Sequence, residues 1–406
     1  MNGGNARRSG RVCCAGVVNQ AIVINVTALL FLPFARLYGF TYAQLGLLTA
    51  VGFLAQMCAD LTLMLLIDRI PAKTLALIAS ALSCLGLVFY GCVPYLFGGA
   101  EYGGIAAATA VFAFAGGMLE VVLSNVADGL PSGGVISICL LHTVYAWAQV
   151  GLSLLLLGYI ALFGQQNWNF LILVLALVPA GVFAALWHTE MPARECRQRV
   201  RSSFRPFYLF ALLAVFFGYG SEVVMNQWIS VFAESVFGFE SAGSIGCALF
   251  ALCLGAGGAV YVFVLQKRNR FPFRALIGAA IAAFAAYTLA ALLPFDGAAL
   301  TCAILCGFFV GMLSPGAMTA ASGFLPLAGG WMLASLAVSQ DIAAATLPSL
   351  AGAVAGEASM RTSFLFMAPA PLLAALFLCL MAFTREKKGK KLAFDGKNCR
   401  MKRKFL

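Results

Sequence analysis

Charge is the scarcest commodity in this sequence. Only 10% of its 406 residues are Asp, Glu, Lys or Arg, against about 25% in soluble domains, which excludes an ordinary water-soluble fold. Acids are scarcer than bases, 15 against 26. A phosphate-cradling loop of the form G-x-x-x-x-G-K-[ST] is missing, so ATP-driven work is not expected. No Ser/His/Asp or metal-ligand constellation appears either, so no enzyme activity, cofactor or metal is expected. The 13 cysteines do not change this. Cys58, Cys84, Cys139 and Cys253 sit singly in apolar runs, and Cys13–Cys14 and Cys302/Cys306 have no partners at ligand spacing. Buried cysteine behaves as a small apolar residue. The alternating segments of a transmembrane barrel, about 10 residues each, are also absent.

What the chain has is apolar length. Hydrophobic residues make up 62% and the mean hydropathy is +0.94. Apolar stretches of about 20 residues, enough to cross a bilayer as a helix, recur throughout. Lipid admits only helices or closed barrels, so the expected fold is an all-α polytopic membrane protein. Twelve spans are predicted: 12–34, 43–67, 74–97, 103–128, 135–163, 168–188, 206–233, 243–266, 272–294, 298–325, 329–354 and 359–384. The first is too long for a signal-peptide core and no small-residue cleavage site follows it, so it reads as a retained span.

The basic residues set the expected orientation. Arg7, Arg8, Arg11, Arg69, Lys73, the arginines of 194–205, the basic residues Lys267, Arg268, Arg270 and Arg274, and the tail from Arg385 all fall on one side. Only Arg36 and Arg361 fall on the other. The positive-inside rule then places both termini in the cytoplasm, in a multi-pass protein of the inner or plasma membrane. The net charge of +11 is thus a topology signal plus attraction to anionic lipid, and no nucleic-acid partner is expected. The 385–406 tail reads as a disordered basic end, and the protein as a monomer.

The chain repeats itself. "FARLYGFTYAQLG" (34–46) after span 1 is echoed by "FAESVFGFESAGSIG" (232–246) after span 7, with Gly39 matching Gly238. "GMLEVVLSNVADGLP" (117–131) in span 4 is echoed by "GMLSPGAMTAASGFLP" (311–326) in span 10. Each match carries a span onto the sixth span after it, which describes two parallel six-helix halves with a site between them. The expected halves are 1–188 and 206–384, joined by a cytoplasmic linker, 189–205.

With these features the chain resembles the major facilitator superfamily. "LIDRIPAKTLAL" (66–77) is similar to the family's signature loop, with Asp68, Arg69 and Lys73 in place, and Met64 and Pro71 at two of its glycine positions. "GGMLEVVLSN", "LLHTVYAWAQVG" and "GSEVVMNQWISVFAE" look like the fucose permease-like group of bacterial sugar transporters. The resemblance implies two pseudo-symmetric bundles that rock about a central site. It also implies proton coupling through carboxylates on spans 1 and 4. Span 1 offers Asn19, Gln20 and Asn25 but no acid, so only Glu120 on span 4 has a counterpart.

Ionisable groups inside a bilayer cost ~2.5–3.5 kcal/mol at mid-helix, so each is a functional candidate. Four carboxylates fall there: Asp60, Glu120, Glu222 and Asp341. Glu120 lies ~12 Å from the cytoplasmic end of span 4 at 1.5 Å per residue. His142 on span 5 is at similar depth, and the two could form a proton-titrating pair; a structural hydrogen bond is the plainer alternative. Tyr145 and Gln149 continue the His142 stripe at helical spacing, with Trp147 between them. Glu222 heads a stripe with Asn226, flanked by Gln227 and Trp228, that suits sugar hydroxyls and ring faces. The expected proton groups are therefore Glu120, His142 and Glu222. The expected solute contacts are Gln20, Asn25, Tyr145, Trp147, Gln149, Glu222, Asn226, Gln227, Trp228 and Asp341, although packing is a strong alternative for both tryptophans. Asp60, Asp68, Arg69 and Lys73 are expected to gate, with Asp60 pairing with basic groups on closure. The expected function is proton-coupled uptake of a sugar or related small polar solute; export of drugs or metabolites on the same fold is the alternative.

Overall fold

A computed structural model describes residues 3–67, 69–128, 138–191, 206–238, 241–265, 272–324 and 329–384. Among them it is all-helical, and the twelve predicted spans are all present as helix. Span 1 is Gly3–Leu29 followed by a short helix, Phe31–Tyr38; span 2 is Tyr42–Leu66, span 3 Ala72–Leu96, span 4 Glu101–Asp128 and span 5 Ile138–Phe163. Span 6 is Trp168–Leu175 continued by Leu177–Trp187, span 7 Pro206–Phe237 and span 8 Ser241–Val260 with a wider turn at Tyr261–Leu265. Span 9 is Pro272–Leu292, span 10 Asp296–Val310 then Leu313–Phe324, span 11 Gly329–Glu357, and span 12 Met360–Met367 continued by 369–384.

Eleven of these are apolar and long enough to cross a membrane among the described residues. Span 11 is the exception. Ser339, Gln340, Asp341 and Pro348 lower its apolarity, and it packs against both span 2 and span 7 in the middle of the bundle.

Local signals account for the ends. Thr41 opens span 2 with a capping box: its hydroxyl accepts from Gln44 N at 3.2 Å, while Gln44 Oε1 accepts from Thr41 N at 2.9 Å. Gly39 and Gly238, the glycines matched by the repeat, both take left-handed backbone where their helices stop, with φ 68° and 70°. One difference is at the start of the chain. Helix begins at Gly3, not near Val12, because Ser9 Oγ donates to Glu190 O at 2.7 Å and Asn5 Nδ2 to Glu190 Oε2 at 3.0 Å, which ties the first turns to the end of span 6. Arg7, Arg8 and Arg11 stay exposed on that extension.

Spans 3 and 4, 2 and 4, and 1 and 5 pack together, as do spans 7 and 11, 8 and 10, and 9 and 10. Between these groups span 2 lies along span 11 and span 5 along span 8, as a two-fold relation between halves requires. In lipid, close backbone approach does much of the work that hydrophobic burial does in water. Gly257 shows it: a Cβ there would collide with the carbonyl of Phe308. Buried aromatic clusters anchor each half, with Trp168 edge-on to Phe34 and Tyr90 at 5.1 and 5.4 Å, and Phe232 against Phe364 at 4.9 Å.

Candidate functional site

Where spans 1, 5 and 7 meet, four neutral side chains join in one hydrogen-bonded chain. Asn25 Nδ2 donates to the Tyr145 hydroxyl at 2.8 Å, Asn226 Nδ2 to Asn25 Oδ1 at 3.1 Å, and Gln149 Nε2 to Asn226 Oδ1 at 2.6 Å. Asn25 and Asn226 come from opposite halves, so the chain crosses the interface between them. Helical spacing explains the set: Tyr145 and Gln149 are one turn apart on span 5, as Glu222 and Asn226 are on span 7. Glu222 is partly buried one turn before Asn226. An amide both donates and accepts, so this chain can hand its bonds over to the hydroxyls of a polar solute.

Glu120 sits beside it, gripped by two other amides. Its Oε2 accepts from Gln20 Nε2 of span 1 at 2.9 Å and from Gln56 Nε2 of span 2 at 3.0 Å. Gln56 also lines a cavity of about 20 Å3 between spans 1, 2, 4 and 7 with Thr27, Thr49 and Gln227, room for about one water. Thr49 Oγ1 donates to Gln227 Oε1 there at 3.4 Å, another link between halves.

The remaining expected residues lie elsewhere. Trp147 is 50% exposed on the outside of the bundle, away from the amide chain; its place beside Tyr145 in sequence does not bring it to the same face. Trp228 is fully buried and donates to Pro348 O at 3.0 Å, between Phe31 and Tyr42, so it packs span 7 against span 11. Lys73 Nζ donates to Trp187 O at 2.8 Å, binding the start of span 3 to the end of span 6, and Arg69 is exposed. Asp60 and Asp341 are both buried, on spans 2 and 11, which pack together. Asp68 and the side chain of His142 lie outside the described residues.

Gln56 was missed by the reading of the sequence. It stands one turn before Asp60 on the buried face of span 2, and that spacing was the available signal. Arg36 and Arg361, the two basic residues apart from the rest, both meet acids: Arg36 pairs with Glu234 at 2.5 Å, joining spans 1 and 7, and Arg361 with Asp296 at 2.7 Å.

A family model of the major facilitator superfamily matches residues 12–332. Comparison with curated proteins finds no relative by sequence. Among solved structures the chain is similar to FucP in its outward conformation, at 16% identity and TM-score 0.63 over 91% of this chain and 98% of that one. It is similar to the proton:xylose symporter XylE bound to 6-bromo-6-deoxy-D-glucose, at 11% identity and TM-score 0.73 over 93% and 96%. A bacterial homolog of the human lysosomal transporter Spinster, inward-facing and occupied, gives 13% identity and TM-score 0.68 over 93% and 96%. At such identities the likeness concerns the fold alone.

Proposed function

We propose that this chain, which belongs to the major facilitator superfamily and is a multi-pass membrane transporter, takes up a sugar or related small polar solute together with protons by alternating access. The observation that carries the reading is the amide chain Tyr145–Asn25–Asn226–Gln149, which spans both halves beside two intramembrane acids. Solved structures with the same fold include an E. coli fucose:proton symporter, a D-xylose-proton symporter and the nucleoside transporter NupG, which supports a hydroxyl-rich solute.

In this reading Asn25, Tyr145, Gln149 and Asn226 exchange their mutual bonds for solute hydroxyls, with Gln20, Gln227, Glu222 and Asp341 around them. A solute that replaces the Asn25–Asn226 bond touches both halves, so its presence bears on their relative position. Glu120 is the proton carrier. Its two amide donors stabilise the charged form, and a proton on Oε2 must displace at least one of them. That couples the protonation of span 4 to spans 1 and 2, of which span 1 also supplies Asn25 to the solute. His142 and Glu222 are the further proton groups. The moving bodies are 1–188 and 206–384, hinged by 189–205 with 385–406 trailing, and both termini lie in the cytoplasm of a cell membrane that holds the protein as a monomer.

The test is uptake by cells expressing the protein, using a panel of radiolabelled pentoses, hexoses and nucleosides with and without a protonophore. At least one hydroxyl-rich solute should accumulate, and the protonophore should abolish its accumulation. Accumulation that survives the protonophore would remove proton coupling, and net extrusion of every accepted solute would replace uptake by export.

A further inference from the structure

The polar stripes of spans 5 and 7 do not stop at Gln149 and Asn226. One turn further along each helix stand Ser153 and Ser230, about 6 Å on at 1.5 Å per residue and on the same faces. They are 2% and 3% exposed, and neither hydroxyl has a hydrogen-bond partner among the described residues. Ser80 and Ser221 are similarly buried but turn their hydroxyls back to the carbonyl four residues before, Ala76 O at 2.9 Å and Phe217 O at 2.6 Å. A buried hydroxyl that makes no hydrogen bond is destabilising. Here there are two, one from each half of the molecule.

Both line one cavity of about 10 Å3 between spans 1, 5, 7 and 8, room for a single group the size of a water or a hydroxyl. Leu29 and Leu156 are among its apolar walls, and Cys247 adds only a thiol, a weak partner. Leu29 stands one turn beyond Asn25 on span 1, so the cavity prolongs the same junction of spans 1, 5 and 7 that holds the amide chain. Among the described residues no Asp, Glu, Lys, Arg or His lines it, which suits a neutral group. A serine hydroxyl donates and accepts, so two of them can clasp a third hydroxyl from both sides. Few polar groups converging in an apolar pocket fix orientation and supply specificity.

From these hydroxyls and their cavity we infer that Ser153 and Ser230 form a second rung of the solute site, which grips one hydroxyl of a monosaccharide whose opposite edge lies on the amide chain. The inference rests on the uptake reading above and narrows it. A gap of one helical turn between the rungs matches a neutral single-ring sugar with hydroxyls on both edges. An analogue without the gripped hydroxyl leaves both serines without a partner in an apolar pocket, so the rung selects among sugars. Because the serines come from opposite halves, the gripped hydroxyl also ties the halves together beyond the Asn25–Asn226 bond.

Uptake by cells expressing the full chain tests this, first with the aldohexoses and aldopentoses, then with every monodeoxy analogue of the sugar most strongly accumulated, as competitors. In the native protein at least one analogue should compete about 10-fold more weakly than the parent sugar. The double variant Ser153→Ala/Ser230→Ala should weaken the parent about 10-fold and leave that analogue within twofold, so that discrimination is lost at one hydroxyl and kept at the others. Each single variant should show the same pattern in smaller measure, which keeps the test available where the double variant does not reach the membrane. A native protein that discriminates at no hydroxyl, variants that leave the parent sugar unchanged, or variants that weaken the parent and all analogues alike would overturn the inference. Accumulation of a nucleoside but of no monosaccharide would overturn it and leave the uptake reading standing. Accumulation of no solute would remove that reading, and the inference with it.

Discussion

Spans 4 and 10 carry the same Gly-Met-Leu, and the residue that follows is Glu120 in one and Ser314 in the other. Both are held by glutamine amides. Ser314 Oγ accepts from Gln340 Nε2 at 2.5 Å, whereas Glu120 takes two amides, from Gln20 and Gln56. A hydroxyl is satisfied by one such partner; a carboxylate inside a membrane is not, since burying its charge costs several kcal/mol unless donors surround it. The halves have therefore kept a common frame and changed the charge state at one matched position, together with the amides that serve it. The proposed reading accordingly places the proton on span 4 rather than on span 10.

The comparison breaks most visibly at the acid itself. Glu120→Gln should reduce proton-driven accumulation to the level of empty vesicles while exchange of solute across the membrane persists, and Ser314→Glu in that background should not restore accumulation. Restoration would show that the two positions are interchangeable. Next in size is Asn226→Leu, which strands Asn25 and Gln149 without their partner. An unpaired buried polar group costs ~1–3 kcal/mol, so solute affinity measured by calorimetry should fall roughly 5- to 150-fold.

The frame that the halves share is tested by Gly39→Ala and Gly238→Ala. Nothing lies within 4 Å of a Cβ at either glycine, so the cost is that of left-handed backbone alone, about 1–2 kcal/mol. Thermal unfolding should register similar losses for the two; a large inequality would argue against equivalent ends. The smallest effect is expected for Arg36→Ala. Its pair with Glu234 is partly exposed, at 35% and 21%, and such pairs contribute ~0.2–1 kcal/mol. A modest rise in labelling of a cysteine placed at Ser349, which now donates to Gly46 O across the same end of the bundle, is the measure.

Much of the frame was legible in the sequence, and little of the wiring. Apolar length revealed the helices, including span 11 despite its Ser, Gln and Asp. The Gly39/Gly238 match pointed to two turns that share an uncommon backbone conformation. Helical spacing placed Tyr145 with Gln149 and Glu222 with Asn226, because residues one turn apart share a face whatever the tertiary packing. It could not say how each helix is rotated against its neighbours. That is why Gln20 and Gln56 were not foreseen as the donors to Glu120. It is also why the neighbours of Asp60, buried on span 2, could not be named from the sequence. Trp147, for which packing was the strong alternative, lies exposed, since residues two apart on a helix diverge in space.

Proton movement driven by solute tests the central claim most directly. The native protein is reconstituted in vesicles enclosing a pH-sensitive dye, and pentoses and hexoses are added outside in the absence of any ion gradient. At least one sugar should acidify the lumen, and Glu120→Gln vesicles should remain at the starting pH with the same sugar. Sugar entry without acidification in the native protein, or acidification that persists in the variant, would contradict proton coupling through Glu120.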